Sequence, residues 1–205
     1  MTRGALKQWR LVIPVVIFFG LYGLAAKSLG FEQIAVPTSI NDVFFNLPAL
    51  LAVFAYNVLP LRKWTNAGHH RAVQRNVREK MAAIAGADIE ELPQKKIMDI
   101  FYRQIDNDPT LKAKSEIIMS NGLIWTSLAD LSVLSIIYAA FSILSYIVGL
   151  FQSDILFIQY AGLAIVSLLF QMVVTGRHIR LSDDQLEYMA DYRSDEIISD
   201  FGQNS

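Results

Sequence analysis

Two patterns alternate along the chain: long stretches without charge, and segments in which apolar residues recur at helical spacing among many charges. Residues 11–26, LVIPVVIFFGLYGLAA, form the first uncharged run, which reaches residue 29 if Lys27 extends its ammonium to the interface. The second, residues 43–61, is interrupted by Asn46, Pro48 and Asn57. The third and fourth, residues 131–150 and 155–175, carry no charge and are separated only by FQSD. About 20 apolar residues suffice for a helix to cross a bilayer, so each run predicts a spanning helix, and the short link predicts an antiparallel hairpin. A cleaved leader is the rival for the first run, but no clear A-x-A site follows it and a second run comes soon after, which favours a retained span.

Between the second and third runs the period changes. From near Ala67, Val73, Val77, Met81 and Ile84 recur at helical spacing, with Arg71, Arg75 and Arg78 beside them. Pro93 opens a short helix whose apolar stripe is Ile97, Ile100, Phe101 and Ile105. The turn DNDP supplies Asp108 as N-cap and Pro109 as first helical residue. No further Pro occurs before residue 150, so one helix of about 63 Å is expected at ~1.5 Å per residue, roughly twice the hydrocarbon thickness. Gly122 is its weak point. After Ser182 a separate tail helix is expected, opened by a capping box of Ser182 with Gln185 and carrying Leu186, Met189, Ala190 and Ile197 as its apolar set.

Composition and charge sharpen this outline. Of 205 residues, 53% are hydrophobic and 18% charged, against about 25% charged in a typical soluble domain; the mean hydropathy is +0.35. Absence of Cys excludes disulfides and thiolate metal sites. Three basic residues precede the first run, eleven lie within residues 61–122 and three follow the fourth run, leaving Lys27 alone of 18 on the opposite side. The positive-inside rule then puts both termini and the central segment in the cytoplasm. The expected fold is an all-α membrane protein of four transmembrane helices in two hairpins, multi-pass in a bacterial inner membrane. Its regions are an N-terminal hairpin (1–61), a cytoplasmic helical region (62–122), a C-terminal hairpin (123–178) and an acidic cytoplasmic tail (179–205).

Candidate chemistry begins in the tail. Glu187-Tyr188-x-Ala190-Asp191 resembles the E-Y-x-A-D segment of membrane-anchored zinc proteases of the HtpX type, where that Glu is the third metal ligand. The resemblance implies an H-E-x-x-H helix before the last hairpin. The corresponding residues are Ser115, Glu116 and Met119, so both imidazoles that would hold zinc are missing. His69 and His70 are adjacent and point ~100° apart on a helix, unlike the i, i+4 pair of a metal site, and read as a solvated or headgroup-facing pair. There is no G-x-S-x-G, P-loop or Cys nucleophile. A non-enzyme without cofactor or metal is expected, with the HtpX-like protease as a remote alternative.

The remaining candidates concern partners. Residues 61–85 carry six basic residues against Glu79 alone. That fits a helix on anionic headgroups better than a nucleic-acid ligand, because no stacking aromatics accompany the charge. Asp184, Glu187, Asp191 and Asp195 share one helical face at i, i+3, i+7 and i+11. They form either a solvated face or a docking face for a basic surface, whether Arg71, Arg75 and Arg78 of this chain or a cytosolic protein. Ser135, Ser142 and Gly149 recur every seven residues, a small-residue stripe suited to a homo-oligomer interface or to packing within one chain. Asp130 is expected at the headgroups, whereas Asn46, Asn57 and Gln171 could line a pore or bond between helices.

Four spans, this length, cytoplasmic termini and charged cytoplasmic segments resemble the KwaA family, the membrane component of the Kiwa anti-phage defence system. The resemblance is architectural and carries over no functional residue. It implies a membrane protein working with a cytosolic, DNA-binding partner protein. The expected function is therefore a non-enzymatic inner-membrane sensor or scaffold acting through a cytosolic partner in anti-phage defence. The alternative is a pore-forming or small transporter subunit.

Overall fold

The structure, a computed structural model, describes residues 3–28, 47–58, 61–90, 92–149 and 155–202. All regular structure among these residues is helical: α1 (Arg3–Ser28), α2 (Leu47–Val58), α3 (Leu61–Ala85), α4 (Gln94–Asn107), α5 (Pro109–Ile147) and α6 (Ile155–Gly202). Three of them, α1, α5 and α6, are long and apolar enough to cross a membrane. Of the run at 43–61, α2 accounts for 12 residues, fewer than the ~20 a crossing needs; residues 43–46 and 59–60 lie outside the described residues, as does the FQSD link.

The chain divides into two units. The first is built mainly from Ala67–Gly122 and Val173–Ser205, the second from Arg3–Asn66 and Leu123–Met172. Regions 62–122 and 179–205, read above as separate, thus belong together, and the physical reason is a shared core. Val77 and Met81 of α3, Ile97, Ile100, Phe101 and Ile105 of α4, Leu111 of α5, and Leu186, Met189, Ile197 and Phe201 of α6 form one buried apolar cluster. Neither α4 nor the end of α6 can bury its stripe alone, and each such side chain removed from water is worth about 1.5–3 kcal/mol.

Local chemistry explains three of the helix limits. Asp108 caps α5 as expected: its Oδ1 accepts from the backbone N–H of Thr110 (2.7 Å) and Leu111 (3.1 Å). Gly86 (φ 66°) ends α3, with Ala87 N–H donating to Ala82 O at 3.1 Å in the left-handed C-terminal turn. Gly149 (φ 74°) similarly follows α5, with its N–H donating to Tyr146 O at 3.0 Å. Gly149 is therefore a helix terminator rather than part of a packing stripe.

The separate tail helix is not present. α6 runs unbroken for 48 residues through Ser182. Ser182 Oγ donates to His178 O at 3.0 Å, one turn back, and the Gln185 amide reaches Leu111 O at 3.0 Å. A capping box has a task only where the first N–H groups lack carbonyls. Here the preceding turn supplies them, and both side chains bond elsewhere.

The second unit buries a different set. Leu21, Tyr56, Leu134, Ala139, Leu156 and Tyr160 form its core, and the Tyr160 and Tyr138 hydroxyls donate to Leu21 O (2.7 Å) and Phe18 O (3.4 Å). Ser132, Ser135, Ser142, Ser145, Ser167 and Gln171 are also buried, while Leu11, Val16, Phe54, Leu144, Ile158 and Leu169 are exposed. Ser135 and Ser142 are covered by this chain's own packing, so an interface reading for these two hydroxyls needs correction. Asp130, expected at the headgroups, is fully buried within the chain and accepts from the Tyr56 hydroxyl at 2.9 Å. A buried carboxylate requires such donors.

Candidate functional site

The first unit sorts its acidic residues into two groups. One group holds the unit together. Asp183 accepts from Lys80 (2.7 Å) and from the Asn76 amide (2.6 Å) of α3. Asp200 accepts from Arg103 (2.6 Å) and Gln104 (3.1 Å) of α4. Arg193 spans Asp108 (3.0 Å) and Glu196 (2.6 Å), and Lys96 caps the end of α6 at Phe201 O (3.0 Å).

These contacts leave their mark on the carboxyls. Asp108 is held below the usual carboxylate range, first by the Leu111 N–H; burial opposes this, and Arg193 and the Thr110 N–H add to it. Burial pushes Asp183 upward, but its hydrogen bonds from Lys80 and Asn76 and the charge of Lys80 outweigh that and bring it below the range.

The second group comprises Asp184, Glu187, Asp191 and Asp195. All four are exposed, and none forms an ion pair with a described residue. They lie around two aromatic rings: Tyr188 and Tyr192 stack at 4.8 Å, Lys114 sits 5.9 Å over Tyr188, and Tyr192 is 71% exposed. Ile198, 49% exposed, extends the face by one turn. The result is an acidic strip with apolar and aromatic surface inside it.

The arginines do not meet that strip. Arg71 bonds to Ala67 O of its own helix at 3.1 Å, and Arg75 pairs with Glu79 one turn on at 2.6 Å. Arg78 is half-buried. Docking of the tail on the basic helix therefore occurs, but through Asp183 with Lys80 and Asn76 instead of the four outward acids with the three arginines. The signal for this was present: Asp183 lies three residues before Leu186 and seven before Ala190, on the apolar side of the turn, whereas Asp184 is rotated ~100° away. The apolar side of α3 is also committed, since Val77 and Met81 face the protein core. Among the described side chains of α3, the exposed ones are charged, polar or small.

All three histidines of the chain belong to this unit; His70 is exposed, as read, whereas His69 is half-buried. His69 Nδ1 lies 3.3 Å from Thr175 Oγ1. His178, 9% exposed, lies against Asn121, whose Nδ2 is 3.4 Å from its Nδ1. Burial, then the charge of His70, holds His178 below the ordinary imidazole value. Among the described residues no group of three or more His, Cys, Asp or Glu is disposed to hold a metal ion. Glu187 and Glu116, the two acids of the protease-like pattern, both face outward. No family model, curated protein or solved structure matches the chain.

Proposed function

We propose that the chain is a non-enzymatic scaffold or sensor of a bacterial inner membrane whose first unit, on the cytoplasmic side, binds a basic surface of a cytosolic protein. The carrying observation is the division of the acids. Asp183 and Asp200 close the unit, while Asp184, Glu187, Asp191 and Asp195 remain outward around an exposed tyrosine. Like charges at helical spacing repel by a few tenths of a kcal/mol per pair. A partner bringing Lys or Arg relieves that repulsion and gains the Tyr192 face for cation–π contact. Arg71 and Arg75, exposed on α3, suit anionic headgroups. Four spans, cytoplasmic termini, a homo-oligomer and a setting in anti-phage defence complete this reading; the last is supported by the architectural resemblance alone.

The test is affinity purification of the intact protein in mild detergent, with partner capture compared between wild type and a variant reversing Glu187, Asp191 and Asp195 to Lys. Exposed pairs contribute up to about 1 kcal/mol each, so binding should weaken about ten- to a hundredfold, and added salt should weaken the wild-type complex likewise. Undiminished binding by the triple variant would remove the acidic face from the proposal. Phage plating on cells with and without the gene tests the defence setting separately. Single-Cys variants at Gln33, Asn76, Ser153 and Asn204 test the orientation, with impermeant maleimide expected to reach only Gln33 and Ser153 in intact spheroplasts.

A pore or small transporter subunit is the second reading. Asp130, Gln171, Ser135 and Ser142 lie inside the second unit, beside its small apolar core, while many of its apolar residues face outward, and an interior acid in a membrane segment is commonly functional. Conductance in planar bilayers that disappears in Asp130→Asn would favour it.

A further inference from the structure

One position of the α4 stripe is polar. Ile97, Ile100, Phe101 and Ile105 turn inward, and Gln104, four residues after Ile100 and three after Phe101, falls among them. It is 3% exposed. Its Nε2 donates to Asp200 Oδ2 at 3.1 Å, the oxygen that also accepts from Arg103 at 2.6 Å, and this fixes which end of the amide is nitrogen. Gln104 Oε1 is buried and accepts no hydrogen bond. A leucine would fill such a position without leaving an acceptor short. An unmet buried acceptor costs about as much as a lost hydrogen bond. Core packing alone therefore does not account for glutamine here.

Gln104 lines a cavity of about 420 Å³ between α4 and α6, together with Arg103, Asn107, Asp195, Glu196, Ser199 and Asp200. Small-ligand sites occupy roughly 300–1,000 Å³, and both walls of this one belong to the first unit. Three acids against Arg103 make the lining negative. It stays negative when Arg193, which holds Glu196 Oε1 at 2.6 Å, is counted with it. Asp195 forms no ion pair with a described residue. The α4 wall is the C-terminal end of that helix, which has no basic residue in its last turn and carries the negative pole of the helix dipole. Charge, dipole and the unmet oxygen all call for a positively charged donor. Among the described residues no set of three or more acids or imidazoles is placed to hold a metal ion, so the fitting donor is an organic cation.

We propose that this cavity is an arginine pocket, which receives one guanidinium of the cytosolic partner between α4 and the last turns of α6. The proposal rests on the reading of the acidic strip as a docking face and names its anchor point. Asp195 belongs to both features: it is the last of the four outward acids and part of the cavity wall. Ser199, one turn further on, continues the strip into the cavity. A guanidinium brings five N–H donors in a planar fork and is weakly hydrated, whereas an ammonium is a compact, strongly hydrated charge with three. The fork suits the Asp195 and Glu196 carboxylates, which lie on one wall, with the neutral oxygen of Gln104 on the other. Arg103 does not fill this role itself, because its guanidinium is bound to Asp200.

The experiment measures binding of penta-arginine and penta-lysine, peptides of equal charge, to the full chain in nanodiscs of zwitterionic lipid. Wild type should bind penta-arginine about tenfold or more tightly than penta-lysine. Tyr192 can also favour arginine, so variants that fill the cavity and leave every carboxylate in place decide between the two. Ser199→Phe and Asn107→Phe enter from opposite walls, and both positions are exposed, so neither burdens the core. Each should remove most of the arginine advantage and leave penta-lysine binding unchanged. Reversing Glu187 and Asp191 to Lys should weaken both peptides alike. Equal affinity of the two peptides for wild type overturns the pocket, as does an arginine advantage that survives both filled variants; if the Glu187 and Asp191 reversal still weakens binding, the docking face stands without it. Peptide binding and partner capture that both ignore that reversal overturn the docking face, and the pocket with it.

Discussion

In the first unit Met81, Ile97, Leu111, Leu186 and Met189 lie inside, and Asp184, Glu187, Asp191 and Asp195 face outward. In the second unit Asp130, Ser135, Ser142, Ser167 and Gln171 lie inside, and Leu144, Ile158, Leu169 and Phe170 face outward. One helix shows both arrangements: on α6, Ile158 and Leu169 are 61% and 58% exposed, whereas Leu186 and Met189 are 1% and 0% exposed. The difference identifies two solvents. Water rewards burying leucine, whereas lipid tails are as apolar as leucine and leave helix association to packing and polar contacts. Hence tyrosine hydroxyls bond between helices in the second unit, whereas an aliphatic cluster ties the first.

The sharpest way to break this contrast is one substitution made in both units. Met189→Asp should place a carboxylate without a partner in the first unit's core and cost about 4 kcal/mol or more. Leu169→Asp sits on an exposed position that water would tolerate at nearly no cost. In lipid it should cost about 2.5–3.5 kcal/mol of insertion free energy. Protease protection of the first unit and membrane extraction of the whole chain read the two effects separately. Free expression of Leu169→Asp with normal insertion would mean that this face does not meet lipid.

Next in size is the polar interior. Tyr56→Phe removes the hydroxyl that Asp130 accepts from and should lower thermal stability in detergent by about 1–3 kcal/mol. Adding Asp130→Asn should recover part of the loss, because an amide is less costly to leave short of a donor than a carboxylate. Equal, additive losses from the two changes would show that the pair is not coupled.

How much of this could be read from the chain follows from which signals are local. The first, third and fourth uncharged runs, the stripe of Ile97, Ile100, Phe101 and Ile105, and the Asp108–Pro109 helix start each depend on a few neighbouring residues, and those residues form the corresponding helices and cap. The capping box at Ser182 was misread because S-x-x-Q is the same string inside a helix as at its start; only the turn before it decides. Side-chain direction inside an all-apolar run is not encoded by hydropathy, so Ser135 and Ser142 could not be assigned to an interior or an interface from spacing alone. The histidine cluster joins residues more than a hundred positions apart, and no local pattern announces it.

A smaller effect sharpens the account of the first unit. Asp108 is an N-cap whose carboxyl is depressed chiefly by the Leu111 N–H. Its stabilisation should be complete above the ordinary carboxylate value near 3.9 and decline as pH falls through the folded value below that. Asp108→Ala should cost about 1 kcal/mol at neutral pH and flatten the acid limb of the unfolding curve. An unchanged acid limb in the variant would assign that limb to other groups, Asp183 first among them.

The smallest expected effect has the opposite sign. Gly122 looked like the weak point of a long helix, yet α5 runs through it without interruption from Pro109 to Ile147. Its φ is not in the left-handed region, and a Cβ built there would meet only His178, at 3.5 Å from Cε1 and 3.9 Å from Nδ1. Both are ordinary contact distances, so neither strain nor overlap demands glycine. Gly122→Ala should therefore stabilise the first unit by about 0.5–1 kcal/mol, the usual gain in a helix interior. The methyl would also fill space beside the His178 ring and deepen its burial, which should hold the neutral form more firmly. Thermal unfolding at about pH 7.5 tests the gain. A loss of stability instead would mean that α5 and α6 approach there more closely than the present contacts show, and that the glycine is required for that approach.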